Sequence, residues 1–145
     1  MKRSYVTLEI LEQIQAACSA KIEFDKTLAK PPLLFKQGDF LAFMQMLKDK
    51  YNFIMLSNVT AVDYPECFEV IYHLTAIEDY KEIIIKFPVE KNKPQLPSVT
   101  EIWPAADFQE REQFDLMGII FTGHPNLKRI LLPDDFSGYP LRKDF

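Results

Sequence analysis

The sequence predicts an α+β domain of two layers, a mixed, mostly antiparallel sheet with helices on one face, followed by an extended C-terminal arm. Three observations predict it. Stretches near residues 7–19 and 39–51 repeat apolar side chains at three- and four-residue intervals, whereas the runs between and after them are rich in β-forming residues. The order is helix, two strands, helix, three strands and a last helix, without the regular βα alternation of a doubly wound sheet. After Met117, Gly118, Gly123, Pro125, Pro133, Gly138 and Pro140 recur too closely for any regular element to run far, because each proline removes a donor and each glycine loosens the backbone.

Thr7 is placed to cap the first helix, with Glu9 in its first turn. Leu11, Ile14 and Cys18 form one apolar stripe, and the helix should end near Ser19. Lys21 to Leu28 reads as a short strand, broken by Pro31 and Pro32 before Leu33 to Lys36 resume extended structure. Asp39 caps the second helix, in which Phe40, Phe43, Met44 and Leu47 follow the i, i+3, i+4, i+7 spacing of a single buried face. Asn52 to Ala61 and Cys67 to Ile77 are strands meeting across the turn Asp63-Tyr64-Pro65-Glu66. Phe68, Val70, Tyr72 and Leu74 make one face of the second of these, and Glu69, Ile71, His73 and Thr75 the other. Lys81 to Phe87 is the next strand, closed by Pro88, and 89–97 is a solvated loop. Ser98 and Glu101 stand at capping-box spacing before Trp103 and Pro104 redirect the chain. Pro104 suits the first position of a last helix, in which Asp107, Arg111 and Asp115 fall in one row, a cation between two carboxylates. Phe108, Phe114 and Met117 supply its apolar side, and Gly118 ends it.

Composition narrows the function. A chain of 145 residues makes one domain, and its net charge of −4 leaves no electrostatic footprint for nucleic acid. No run approaches the ~20 apolar residues of a membrane span, and the start does not read as a signal peptide. The expectation is a soluble, cytoplasmic chain that reaches a membrane only through a partner. Cys18 and Cys67 stand apart, outside any C-x-x-C pattern, and read as reduced thiols. His73 lies in a strand and His124 has no second histidine or cysteine near it, so no metal site is expected, although His124 in Gly123-His124-Pro125 is the better functional candidate. Glycines at 38, 118, 123 and 138 cannot form a phosphate-binding loop. Glu110 and Glu112, two apart on a helix, point in different directions and make a poor acid and base pair. No catalytic residue is expected, and a charged helix leading into an arm reads as a docking surface.

The arm itself carries Ile119, Ile120, Phe121, Leu127, Ile130, Leu131, Leu132, Phe136, Tyr139, Leu141 and Phe145, more apolar side chains than a disordered tail. The division expected is a compact domain over 1–117 and an arm over 118–145. Extended at ~3.3 Å per residue, twenty residues reach roughly 60 Å, enough to lie across another protein. Lys128, Arg129, Arg142 and Lys143 would meet carboxylates there, the arm's own domain having little left to bury it against.

The run Glu110-Arg111-Glu112, Phe114-Asp115, Gly118-Ile119, Phe121, Gly123-His124-Pro125, Leu127, Arg129-Ile130-Leu131-Leu132-Pro133, Asp134-Asp135 and Pro140-Leu141-Arg142-Lys143-Asp144 resembles the signature of the C-type (30 kDa-type) subunit of the proton-pumping NADH:quinone oxidoreductase, respiratory complex I. Upstream, Thr60 to Pro65, Val70 to Leu74, Pro97 to Val99 and Trp103 to Ala106 are similar to the same family. The resemblance implies a non-catalytic subunit of the hydrophilic arm, at the cytoplasmic face of the cell membrane, that binds no flavin, iron–sulfur cluster or quinone itself. It implies a C-terminal arm lying along the D-type subunit, which forms much of the quinone cavity, and contacts with the iron–sulfur subunits. Glu110, Arg111, Glu112 and Asp115 would hold the helix, and Arg129, Arg142 and Lys143 would anchor the arm on the partner. Phe136 stands where the family usually has tryptophan after the Asp-Asp pair. The corresponding subunit of a membrane-bound energy-converting [NiFe] hydrogenase or related complex is the first alternative, and a free-standing binding module using the surroundings of His124 the second.

Overall fold

The computed structural model describes residues 4–145. Its elements are β1 (Ser4–Tyr5), α1 (Leu8–Ala17), β2 (Lys21–Glu23), β3 (Leu33–Gln37), α2 (Phe40–Tyr51), β4 (Met55–Asp63), β5 (Phe68–Ala76), β6 (Lys81–Val89), β7 (Gln95–Pro97), α3 (Ala106–Met117) and β8 (Ile120–Thr122). The main sheet runs β2-β3-β6-β5-β4, with β1 also paired to β6. The pairs β4–β5 and β5–β6 are antiparallel, while β1 and β3 lie parallel to β6. This is the mixed, mostly antiparallel sheet that the sequence predicts.

The caps work as their residue types dictate. Thr7 accepts from the Ile10 N–H and Asp39 from the Ala42 N–H, each at the first turn of its helix. The inward face of the sheet sets Tyr72 opposite Ile85 and Leu74 opposite Ile83, all without solvent exposure. Phe40 of α2 packs on Tyr72, and Phe35 stacks on Phe87, so helices and sheet share one core. The opposite face, with Ile71, His73, Ile84 and Lys86, is only half-buried.

Four expectations change. The strand from Lys21 stops at Glu23, because the Asp25 carboxylate takes the Thr27 N–H and hydroxyl and turns the chain. Strand β6 runs through Pro88 to Val89, since β3 pairs only as far as Lys86 and a residue without an N–H is tolerated beyond it. The solvated loop over 89–97 contains β7, which pairs in parallel with β8, so Ile119 and Phe121, placed with the arm by sequence, are buried core residues. Helix α3 begins at Ala106 rather than Pro104, with no side-chain cap at its N-terminus.

Helix α3 also departs from its expected apolar side. Phe108 is exposed, Phe114 half-buried, and the buried set is Ala106, Glu110, Gln113, Asp115 and Met117. The reason is position: α3 lies against β4, the edge strand, where backbone groups rather than apolar side chains need covering. Gln109 Oε1 accepts the Val59 N–H at 2.7 Å and Gln113 Nε2 donates to the Val59 carbonyl at 3.4 Å. Two amides one helical turn apart thus stand in for a neighbouring strand. Gln109→Ala should cost about 1–2 kcal/mol by stranding that N–H, and Gln113→Ala less, because its bond is longer; urea unfolding midpoints of the two variants test the order.

Candidate interaction site

The geometry of the last third follows from what a helix C-terminus lacks. The final carbonyls of α3 have no partner within the helix, and its last turn carries no basic residue. The arm supplies both. Arg129 Nη1 donates to the Asp115 carbonyl at 2.9 Å, the Leu141 N–H to the Leu116 carbonyl at 3.0 Å, and Arg142 Nε to the Met117 carbonyl at 2.7 Å. Gly118, at φ 73°, donates to the Phe114 carbonyl and turns the chain out of the helix. A side chain there would collide with Arg142 and Tyr139, which lie within 2.8 Å of the position its first carbon would take.

Asp115 is the centre of the knot. Its carboxylate has no solvent exposure; Oδ1 meets Arg129 Nη1 at 2.8 Å, while Oδ2 accepts the N–H groups of Ile130, Leu131 and Leu132 at 3.1, 2.7 and 3.0 Å. Burial opposes its ionisation, but the Arg129 guanidinium and the three N–H groups outweigh burial and hold the carboxyl below the usual aspartate range. Arg129 Nη2 reaches on to the Phe136 and Gly138 carbonyls, and its plane lies over the rings of Phe136 and Tyr139. Arg142 sits between Phe68, 5.0 Å away, and Tyr139, 4.7 Å away. The Lys143 N–H ends the series on Asp63 Oδ2, and Lys91 holds Asp63 Oδ1. Lys91 first, then the Lys143 amide, keep the Asp63 carboxyl low.

The anchors expected on a partner therefore close on their own domain. Arg129, Arg142 and the Lys143 backbone bind α3 and β4, where a buried carboxylate and the last carbonyls of the helix need donors. Arg111 does not sit between Asp107 and Asp115; it donates to the Lys128 and Arg129 carbonyls at 3.2 Å each. Glu112 is partly exposed and is not among the groups that hold the arm, and Asp134 and Asp135 are exposed. Gly123, at φ 82°, and Pro125 flank His124, whose ring is buried. Its Nε2 faces the Asp107 carbonyl at 3.0 Å and Asp107 Oδ1 at 3.3 Å, while Nδ1 accepts the Asn126 N–H, which fixes the proton on Nε2. Glu110 is fully buried and accepts from Ser98 Oγ at 2.6 Å and the Val99 N–H at 2.9 Å. It takes the capping role expected of Glu101.

The sequence missed Gln109 and Gln113, whose i, i+4 amides left the one local signal, and it marks Asp63 as a turn residue and Ser98 as a capping residue without showing their bonds to Lys143 and Glu110. Among the described residues no three histidine, cysteine, aspartate or glutamate side chains gather as metal ligands. Three large apolar side chains of the arm stay in solvent, Leu131, Leu141 and Phe145 being 60%, 56% and 68% exposed, beside the exposed charges of Lys128, Asp134, Asp135, Lys143 and Asp144. Large apolar side chains left in water on an ordered arm mark a candidate contact surface.

Comparison with known proteins gives this architecture a family. Residues 33–145 match the family described as respiratory-chain NADH dehydrogenase, 30 Kd subunit. The chain is 52% identical over 117 residues to the C-type subunit of NADH-quinone oxidoreductase from Moorella thermoacetica, covering 79% of each chain. It is 49% identical over 145 residues to the same-named subunit of Roseiflexus sp. strain RS-1, covering 93% of this chain and 81% of that one. Among solved structures, a trypsin-resistant fragment of Nqo5 superposes with a TM-score of 0.69 at 30% identity, over 82% of this chain and 97% of the fragment. A chain of the membrane-bound sulfane sulfur reductase, an archaeal respiratory membrane complex, superposes with a TM-score of 0.81 at 28% identity, over 94% of this chain and 84% of that one. No helix among the described residues is long and apolar enough to cross a membrane. With the signature run folded into one knot at the end of α3 and the match extending over most of the chain, this protein belongs to the 30 kDa subunit family of respiratory-chain NADH dehydrogenase, the family of the C-type subunit of NADH-quinone oxidoreductase.

Proposed function

We propose that this chain serves as a cofactor-free structural subunit in the peripheral arm of complex I, at the cytoplasmic face of the membrane, docking on the D-type subunit and contacting the iron–sulfur subunits. In this reading it carries no electrons. It holds its neighbours in the geometry through which they pass electrons from NADH to quinone and couple that flow to proton translocation, and it enters the complex as a single copy. The observation that supports the reading is the exposure of Leu131, Leu141 and Phe145 on an arm already fixed by polar contacts. Such a surface is pre-organised, so a partner that covers it loses little freedom of the arm on binding.

The likeness to a chain of the sulfane sulfur reductase supports a second reading, the same structural role in a related membrane complex with another electron donor. A pull-down of tagged chain from gently solubilised native membranes, with partners identified by mass spectrometry, separates the two. Flavin-bearing NADH-oxidising subunits together with the D-type subunit support the first, and a different oxidoreductase module the second. The double substitution Leu131→Asp and Leu141→Asp should abolish recovery of the D-type subunit while leaving the melting temperature within about 1–2 °C, because both side chains already face water. Wild-type recovery of that partner by this variant would refute the docking surface.

A further inference from the structure

Glu110 is a buried acid that the docking role does not use. Its side chain has no solvent exposure, and its partners are the neutral Ser98 hydroxyl and Val99 N–H, with no cation among the described residues bound to either oxygen. The titratable groups set against it are unhelpful to a negative charge. Asp107 on its own helix repels it, and Tyr72 of β5, whose buried hydroxyl has no hydrogen-bond partner among the described residues, faces it from the sheet. His124 is committed to Asp107, and Lys48 spends its ammonium on the Ile102 carbonyl at 2.7 Å. A carboxylate in such surroundings favours its neutral form.

A path connects it with solvent. Ser98 Oγ lies 2.6 Å from Glu110 Oε1 and 2.9 Å from Thr100 Oγ1, which is half-buried. Both hydroxyl residues line a surface cavity of about 200 Å³ shared with Glu101, Ile102, Thr122 and Gly123. Each hydroxyl can accept one proton and release another, so the pair can reverse the direction of its hydrogen bonds without moving a heavy atom. With Glu110 ionised, Thr100 donates to Ser98 and Ser98 to the carboxylate. With Glu110 protonated, the acid donates to Ser98 Oγ and Ser98 to Thr100.

We propose that Glu110 is a proton-binding site, loaded from solvent through the Thr100 and Ser98 hydroxyls, between α3 and the turn that follows β7. A proton enters at Thr100 Oγ1, the Thr100 proton moves to Ser98 Oγ, and the Ser98 proton neutralises Glu110. Release runs the same steps backwards. The geometry agrees with the direction of titration: burial raises Glu110 from the ordinary 4.5 to about 7, against the lowering effect of Ser98 and of the Val99 N–H. The stabilisation contributed by the protonated form is therefore complete below pH 4.5 and is lost as pH rises through about 7.

The test is the titration of the Glu110 carboxyl carbon in the full chain carrying ¹³C-labelled glutamate, followed by nuclear magnetic resonance across the range from acid to mildly alkaline pH. The wild-type midpoint should lie near 7, with the resonance assigned by its loss in Glu110→Gln. Ser98→Ala should raise the midpoint further, because the anion loses its hydroxyl donor. Thr100→Val should leave the midpoint nearly in place but slow proton exchange at Glu110, seen as broadened or split signals near the midpoint. A wild-type midpoint at or below the ordinary 4.5 overturns the site, and exchange unaffected in both Ser98→Ala and Thr100→Val overturns the path. The wild-type titration needs no variant to fold. Because it reads one carboxyl and no partner, its outcome is independent of the docking proposal.

Discussion

Arg129→Glu should lower the melting temperature of the isolated chain by about 10 °C. The substitution removes the cation from a carboxylate with no solvent exposure, sets a second anion beside it, and strands the carbonyls of Asp115, Phe136 and Gly138. Breaking one partner out of a buried pair costs roughly 3–5 kcal/mol, and in a chain of this size each kcal/mol moves the midpoint by about 2–4 °C. Read from the sequence alone, the same substitution would leave melting unchanged and strike only the partner. Asp115→Ala should act similarly, because three consecutive amides lose their acceptor. Amide exchange at Ile130, Leu131 and Leu132 should accelerate at least about tenfold in either variant, and differential scanning calorimetry gives the midpoint. Unchanged exchange and melting would mean the arm is held by something other than this knot. The knot also has a defined pH window. Since the folded Asp115 carboxyl lies below the ordinary 3.8, its contribution is present above that value and is lost as pH falls through the lower folded value.

Trp103→Ala should destabilise the chain by about 3–5 kcal/mol, the range for deleting a buried aromatic side chain. Trp103 is 2% exposed and sits shortly before α3, with its indole N–H on the Phe53 carbonyl at 3.0 Å. It ties the turn after β7 to the segment entering β4, so its loss opens a cavity and leaves a buried carbonyl without a donor. Trp103→Phe isolates the second effect and should cost only about 1–2 kcal/mol beyond the small change in volume. Guanidinium unfolding of both variants separates the two contributions. Equal midpoints for Trp103→Ala and Trp103→Phe would show that the hydrogen bond, rather than the packing, carries the position.

Local chemistry was legible in the sequence and long-range chemistry was not. The caps at Thr7 and Asp39, the buried stripe of α2 and the alternation through β5 can be read directly, because each is decided by neighbours within a few residues. The signature run also identified the family, since a motif is an ordered string. The same string gave no account of where its side chains point. Asp115 and Arg129 are fourteen residues apart, and Asp63 and Lys143 eighty apart, so no periodicity relates them. Helix α3 reads poorly because its buried face serves a strand edge and a carboxylate network instead of an apolar core. What the sequence determined by itself is therefore the three helices, the strands β2 to β6 in their order, and the family they belong to, whereas the short strands β1, β7 and β8 carried no local signal. Only the tertiary structure decided that the arm closes on its own helix, because unsatisfied helix carbonyls and a buried carboxylate attract donors across distances in sequence that local patterning does not encode.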